Sequence, residues 1–267
     1  MSLPKPAQGS DVVVTGASSG IGTEIAKGLA QRGHNLVLVA RRRERMEALA
    51  SELRAEHKVQ ITIHARDLGS SGERDALVSD LRAAGRTISG ICNCAGFGTS
   101  GKFRELPLQR ERDQVELNVV ALMDLTHAFL EDMVTAGAGA VLNVASIAAF
   151  QPLPNMAVYS ASKAFVQTFS EAVHEELRGT GVSCTVLCPG PVETEWSDIA
   201  SAEAVMIGPA KVSPHDVAEA AIAGMLAGKR SVVPGLVPKA MSMAGHFAPR
   251  TLLLPGLAIG KRLRSKE

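Results

Sequence analysis

A tyrosine and a lysine four positions apart form the clearest acid–base pair in the sequence. Tyr159 is the only tyrosine of the chain, and Lys163 follows it in a segment of helical periodicity. Side chains four residues apart lie on one face of a helix, about one turn from each other. A phenol has a pKa of about 10, and a neighbouring ammonium can lower that pKa by about 1–3 units. We therefore expect Tyr159 to exchange a proton with a substrate oxygen, a task that ketone reduction requires.

A glycine-rich segment, residues 15–22, follows the first predicted strand and opens the first predicted helix. It reads Thr-Gly-Ala-Ser-Ser-Gly-Ile-Gly. Glycines permit a tight turn and let the backbone approach a pyrophosphate, and the helix N-terminus offers free N–H groups. Glycine can also simply make a turn, but the strand–loop–helix setting favours nucleotide binding. The expected contacts are Gly16, Ser18, Ser19, Gly20 and Ile21.

Three consecutive arginines follow the second predicted strand. A protein that binds NAD usually has Asp or Glu at this point, which would repel a 2′-phosphate. Here Ala40 is followed by Arg41, Arg42 and Arg43, and guanidinium groups can fork onto phosphate oxygens. We interpret Arg41 and Arg42 as contacts to the 2′-phosphate of NADP(H), chiefly Arg41. We interpret Arg43 as the solvated start of the next helix, an alternative that also applies to Arg41.

The elements that must position these residues alternate between strands and helices. Short apolar runs predict strands at 11–15, 35–40, 59–65, 88–94, 140–145, 182–188 and 231–234. Helical periodicity covers 21–32, 43–56, 71–84, 109–135, 157–178 and 214–227. This alternation predicts an α/β fold, with right-handed βαβ units and one parallel sheet. We expect a single domain over residues 1–267, because no segment resembles a linker.

Composition excludes several other classes of protein. The net charge is +1, from 28 basic and 27 acidic residues, so the chain lacks the basic surplus typical of nucleic-acid binding. No apolar stretch is long enough to span a bilayer or to act as a signal sequence, which predicts a cytoplasmic protein without integral membrane association. The four cysteines lack zinc-knuckle spacing, and the histidines form no cluster with metal-ligand spacing. We therefore expect packing cysteines and no metal.

The motif spacing resembles that of a known family. Gly-x-x-x-Gly-x-Gly at residues 16–22 and Tyr-x-x-x-Lys at 159–163 are similar to the motifs of the short-chain dehydrogenases/reductases, and the resemblance covers nearly the whole chain. It implies a Rossmann-like, doubly wound sheet of about seven strands in the order 3-2-1-4-5-6-7. It also implies hydride transfer between NADP(H) and a carbonyl/alcohol pair. Members commonly form homodimers or homotetramers, which we expect here.

The same resemblance implies roles for further residues. Ser146 would hydrogen-bond the substrate oxygen, and Asn118 would complete the catalytic set by holding a water that links Lys163 to solvent. For Asn118 the alternative is a buried amide that satisfies an irregular helix, and both can hold. The expected cofactor contacts beyond the glycine-rich loop are Asp67 and Leu68 at the adenine, Asn93, Ala95 and Gly96 beside the ribose, Tyr159 and Lys163 themselves, and Pro189, Gly190, Val192 and Thr194 at the carboxamide. Asn93 and the small residues after it would also stabilise the sheet. Cys94 stands where the family has a second asparagine, and we interpret it as packing.

Two loops leave the carboxyl ends of predicted strands, where open α/β sheets bind ligands. The longer one, residues 189–213, is predicted to cover the substrate. Its apolar residues, with those of the other loop, favour a lipophilic ketone or a 3-oxoacyl substrate, although they could equally pack the loops themselves. They are Trp196, Ile199, Val205, Met206 and Ile207, with Phe150, Pro152 and Leu153. The alternatives to this enzyme are an NADP(H) redox sensor without turnover and a relative of the nucleotide-sugar epimerases or dehydratases.

Overall fold

The protein is described by a computed structural model over residues 3–192, 212–251 and 254–255. Its sheet is built from β1 (Ser10–Thr15), β2 (Asn35–Ala40), β3 (Ile61–Ala65), β4 (Thr87–Asn93), β5 (Gly139–Val144), β6 (Val182–Leu187) and β7 (Ser231–Val232). The strand order is 3-2-1-4-5-6-7, and every pairing is parallel. The interior strands are predominantly apolar because helices cover both faces of the sheet. The predicted fold class and strand order are confirmed.

The helices divide between the two faces. They are α1 (Gly20–Gln31), α2 (Arg43–His57), α3 (Ser71–Ala83), α4 (Leu108–Val115), α5 (Ala121–Ala136), α6 (Ala157–Glu176), α7 (Pro214–Leu226) and α8 (Leu236–Phe247). One apolar core joins α1, α2 and α7 to the sheet, and a second joins α3, α5 and α6 to the opposite face. The start of α7 follows the sequence rule, since Ser213 Oγ accepts from Asp216 N at 3.0 Å and Pro214 occupies the first turn.

Three sequence-based boundaries were wrong. The predicted helix 109–135 is interrupted by a π-helical turn, Glu116–Val120, which separates α4 from α5. The predicted seventh strand, 231–234, has only two strand residues. The sequence also predicted no helix after residue 227, whereas α8 packs on the 3₁₀ turn Ile147–Phe150. Within the described residues, no helix is both long and apolar enough to cross a membrane.

A buried arginine ties α3 to the helix that contains the π turn. Arg74 is 3% exposed, and its guanidinium donates to Leu68 O at 2.9 Å, Glu116 Oε1 at 2.8 Å and Asp124 Oδ2 at 2.9 Å. These bonds connect the loop after β3 to the first residue of the π turn, Glu116, and to the first turn of α5, which contains Asp124. Because a buried charge is tolerated only when it is paired and hydrogen-bonded, this side chain fixes the spacing of the three elements.

We expect Arg74→Met to lower the free energy of unfolding by about 2–3 kcal/mol, since the buried Leu68 carbonyl loses its donor while the half-exposed carboxylates recover solvation. Urea unfolding followed by circular dichroism measures this change. Arg82→Met is the matched control, because Arg82 donates from an exposed position to Ala128 O. Equal stability of the two variants would contradict this role of Arg74.

Candidate active site

The loop between β1 and α1 forms one end of a cleft along the carboxyl edge of the sheet. Gly16 has φ +65°, and a Cβ there would lie 2.9 Å from Ala95 N. A Cβ on Gly22 would lie 2.5 Å from Gly16 O, so both positions require glycine for close approach. Gly16, Ser18, Ser19, Gly20 and Ile21 all line the cleft, as predicted from the sequence. No acidic residue occupies the first turn of α1, which leaves its N–H groups and positive dipole end available to an anion.

The three arginines after β2 occupy different positions, and the sequence did not predict which of them lies over the glycine-rich loop. Arg42 donates to Ser19 Oγ at 2.8 Å and to Ser18 Oγ at 3.1 Å, which holds its guanidinium over the glycine-rich loop. Arg41 lines the same cleft but is exposed. Arg43 starts α2 and pairs with Glu47 at 3.5 Å on the surface, consistent with the solvated position expected for it. Arg42 and Arg41 together make this end of the cleft strongly cationic.

The residues predicted to hold adenine and ribose occupy two different environments. Asp67, Leu68, Ala95 and Gly96 line the cleft. Asp67 also accepts from Gly69 N at 3.0 Å, and this bond orders the loop after β3.

Asn93 does not line the cleft, in contrast to its neighbours. Its side chain is buried in the sheet and donates to Asn143 Oδ1 at 2.9 Å and to Thr126 Oγ1 at 3.1 Å. The Asn93 amide thus joins β4 to β5 and α5, which agrees with the sheet-stabilising role expected for it, and the side chain itself does not line the cleft. Thr15, which the sequence analysis did not single out, shapes the nearby loop by accepting from Cys94 N at 3.0 Å and from Ala95 N at 3.1 Å.

The predicted catalytic side chains converge at the other end of the cleft. Ser146 follows β5, and its hydroxyl hydrogen-bonds the phenol of Tyr159, which lies near the start of α6. Lys163 lies one turn further along α6, with its ammonium 5.9 Å from the centre of the Tyr159 ring. That ammonium is buried and donates to Val144 O at 2.8 Å. The helical spacing thus brings Tyr159 and Lys163 to one face, as the sequence predicted.

Asn118 approaches the same group from the π turn. Its Oδ1 accepts from Phe97 N at 3.0 Å, and its Nδ2 donates to Phe97 O at 2.9 Å and to Ser162 Oγ at 3.1 Å. A Cβ on Gly96 would lie 2.8 Å from Asn118 Oδ1 and 3.5 Å from Lys163 Nζ, so this glycine makes room for both side chains. The irregular helix and the buried, hydrogen-bonded amide of Asn118 therefore occur together, as the alternative interpretation of Asn118 expected. Ser162 joins the network by donating to Tyr159 O at 2.8 Å, a role that sequence reasoning missed.

Burial dominates the titration of the acid–base pair. It raises the pKa of Tyr159 to about 12, and the hydrogen bond from Ser146 opposes this rise. It lowers the pKa of Lys163 to about 8, opposed by the thiols of Cys94 and Cys188. The expectation that the pKa of the phenol lies below its usual value is therefore wrong for the protein alone, because burial raises it. At neutral pH Tyr159 keeps its proton and Lys163 is mostly charged.

The end of the cleft around Tyr159 has apolar walls. Its walls include Phe97, Ile147, Ala148, Leu153, Met156 and, from α8, Met241. Gly245 lets α8 approach the 3₁₀ turn closely, since a Cβ at this position would lie 3.2 Å from Phe150 Cβ. Arg250 also donates two hydrogen bonds to Phe150 O, both 3.3 Å. Pro189, Gly190 and Val192 border the cleft after β6. Thr194, Trp196, Ile199, Val205, Met206 and Ile207 lie outside the described residues.

Comparisons with known proteins agree with this architecture. The family profile described as short chain dehydrogenase matches residues 10–204. A sulfoacetaldehyde reductase of Chromohalobacter salexigens is 37% identical over 216 residues, which cover 78% of this chain and 85% of that protein. A short-chain dehydrogenase from Sphingobium yanoikuyae, solved in complex with NADPH, is 33% identical with a TM-score of 0.79 over 95% of each chain. The bulky-bulky ketone specific alcohol dehydrogenase of Comamonas testosteroni is 31% identical, with a TM-score of 0.75 over 94% of this chain and 93% of that one.

The chain therefore belongs to the short-chain dehydrogenase family. It is an oxidoreductase of the class that acts on CH–OH donors, and the family predicted from its two motifs is confirmed.

Proposed function

We propose that this protein is an NADP(H)-dependent oxidoreductase that interconverts a lipophilic ketone and a secondary alcohol. The observation that carries the proposal is a single cleft with a cationic phosphate-binding end and an apolar end that contains Ser146, Tyr159 and Lys163. A redox sensor without turnover would not need this second end. An epimerase-like reading has no observation in its favour.

The residues at the cationic end fit NADP(H) rather than NAD(H). Gly16 and Gly22 leave a backbone cradle that a Cβ would fill, and the first turn of α1 has no acidic residue to oppose a pyrophosphate. Arg41 and Arg42 would hold the 2′-phosphate, with Ser18 adding a hydroxyl. Asp67 and Leu68 would bound the adenine. When bound, the cofactor supplies the hydride that reduces the carbonyl carbon.

The chain's own residues would manage the proton and the substrate oxygen. The Ser146 hydroxyl would hydrogen-bond the carbonyl oxygen and stabilise its developing charge. The Tyr159 phenol, which keeps its proton at neutral pH, would protonate that oxygen during reduction. Lys163 would bind the nicotinamide ribose, and Asn118 would hold the route by which the proton is replaced. A phenol with a pKa of about 12 is protonated at neutral pH, which is the form that acts as the acid in reduction.

The apolar walls support a bulky ketone or 3-oxoacyl substrate rather than a small anionic aldehyde. Among the described residues that line the cleft, Arg110 is an exposed cation, and its guanidinium stacks 4.0 Å from the centre of the Phe97 ring. A buried cation would be expected for a sulfonate.

The test measures NADPH oxidation with aryl alkyl ketones, a 3-oxoacyl thioester and sulfoacetaldehyde. The proposal expects kcat/KM to be at least about tenfold higher for the lipophilic substrates. Preference for the sulfonated aldehyde would overturn the substrate class. Binding of NADPH without oxidation in the presence of any of these carbonyl compounds would favour the sensor.

Replacement of Arg41 by aspartate is expected to raise KM for NADPH by about 10²-fold or more and to change KM for NADH much less, because a carboxylate repels the 2′-phosphate. Steady-state kinetics with both cofactors measures the ratio. Arg43→Asp is the matched control, since Arg43 is the adjacent arginine on the surface of α2. Equal effects of Arg41→Asp on both cofactors would remove the assignment.

We further propose a cytoplasmic, single-domain protein that assembles as a homodimer or homotetramer through its helical faces. Exposed apolar side chains on α4, α5 and α6 support such a contact: Val115, Met123 and Phe165. Size-exclusion chromatography with light scattering tests it, and a monomer at micromolar concentration would contradict it.

A further inference from the structure

Helix α8 has an exposed apolar face that the proposed reaction does not use. Leu236 is 85% exposed, Met243 62% and Phe247 76%. With exposed Ala240, these residues follow a 4-3-4 spacing and therefore lie along one side of the helix. We call Leu236, Ala240, Met243 and Phe247 the α8 stripe.

The α8 stripe faces away from the other residues that the structure describes. The buried residues of this helix, Pro238, Ser242 and Gly245, lie on the opposite side at helical spacing. Met241, on the flank of the buried side, lines the substrate end of the cleft. A substrate bound in the cleft would therefore not cover the stripe.

The charge of the same part of the sequence differs from that of the rest. Residues 236–267 contain six basic residues, Lys239, Arg250, Lys261, Arg262, Arg264 and Lys266, and one acidic residue, Glu267. Residues 1–235 contain 22 basic and 26 acidic residues. In sequence, the apolar run 251–260 lies between Arg250 and the basic cluster. An exposed apolar helix face within a cation-rich stretch of sequence is typical of peripheral binding to an anionic bilayer surface.

We propose that α8 and the basic C-terminal sequence bind the enzyme peripherally to anionic membrane surfaces. The α8 stripe enters the boundary between headgroups and acyl chains, while Lys239 and the basic residues pair with lipid phosphates. A second copy of this chain is a poorer occupant, because a two-fold contact through α8 would bring two copies of Lys239 together without an acidic residue on the helix to pair with them. The cleft wall formed by Met241 would then lie beside the bilayer, where lipophilic compounds are concentrated.

The test is flotation of the full-length protein with vesicles of phosphatidylcholine alone and of phosphatidylcholine with phosphatidylglycerol in equal amounts. We expect binding to the mixed vesicles, weakened by added salt, with each cation near the surface contributing about fivefold to the affinity. Met243→Ser/Phe247→Ser should weaken binding at least about tenfold. The matched control is Phe103→Ser/Leu108→Ser, since these two side chains are 57% and 55% exposed elsewhere on the surface.

Three results would overturn the proposal. The wild-type protein could remain unbound to the mixed vesicles, or the α8 variant could bind as well as the Phe103/Leu108 control. Alternatively, light scattering could show that Met243→Ser/Phe247→Ser dissociates an oligomer, which would identify the stripe as an interface between copies. None of these readouts depends on turnover, so a failure of the proposed reaction would leave this test intact.

Discussion

Phenylalanine in place of Tyr159 is expected to reduce kcat for ketone reduction by about 10³-fold or more. General acid catalysis contributes about 10²–10⁴ to a rate, and the sequence contains no second tyrosine that could replace this phenol. The ring remains in the variant, so the side-chain packing of the buried position is retained. Stopped-flow measurement of NADPH oxidation gives the rate of the chemical step, and fluorescence titration gives the affinity for NADPH, which should change little.

Ser146 provides a graded comparison for the Tyr159 variant. Its hydroxyl bonds the phenol and also accepts from Ala148 N at 3.1 Å, which caps the 3₁₀ turn. Ser146→Ala should therefore lower kcat by about 10²-fold and also loosen that turn, whereas Ser146→Thr keeps a hydroxyl and should recover part of the rate. Turnover within about tenfold of wild type in Tyr159→Phe would end the proposed proton-transfer mechanism.

The sheet was predictable because its signals are local. Each interior strand is a short, mainly apolar run, and Ser213, which caps α7, lies beside that helix in sequence. Residues 159–163 were equally readable, since the distance between Tyr159 and Lys163 is fixed by helix geometry alone. The close approach at Gly22 is equally local, since a Cβ there would meet Gly16 O of the same loop, whereas Gly16 is crowded by the distant backbone of Cys94 and Ala95.

Features that depend on contacts between distant segments were not predictable. The choice between Arg41 and Arg42 over the loop depends on bonds to Ser18 and Ser19, more than twenty residues away. A sheet-stabilising role was expected for Asn93, but not its partners Asn143 and Thr126, which lie fifty and thirty-three residues further along. Periodicity cannot distinguish a strand residue that faces the sheet interior from one at the cleft when both neighbours are polar or small.

The π turn and the pKa of the phenol illustrate the same limit in energetic terms. Asn118 in an apolar helical segment indicated an irregularity, but the partner that stabilises it, Phe97, belongs to the loop after β4. The pKa of Tyr159 follows from burial, a property of the assembled fold, and burial outweighs the neighbouring charge that the motif alone suggests. Sequence spacing identified the pair, and three-dimensional packing determined its electrostatics.

Methionine in place of Lys163 is expected to separate catalysis from stability. The buried ammonium has its pKa lowered from 10.5 to about 8, so the folded protein binds fewer protons than the unfolded chain between these pH values. The free energy of unfolding of the wild type should therefore rise between about pH 8 and 10.5, by an amount on the order of 3 kcal/mol, relative to Lys163→Met. Urea unfolding of both proteins across this pH range measures the difference. Parallel curves would show that burial of the charge carries no such cost.

The activity of Lys163→Met should fall, whereas its stability should not. Loss of the ammonium removes the expected ribose contact and the link to Asn118, and we expect kcat to fall by about 10²–10⁴-fold and KM for NADPH to rise. Below pH 8 the variant avoids the cost of burying a charge but leaves Val144 O without its donor, so its stability should stay close to that of the wild type or exceed it. Lys163→Arg is the control that keeps a cation at this position. A protein that loses turnover without losing stability would identify Lys163 as a residue kept for chemistry, because the fold itself gains nothing from holding a charge there.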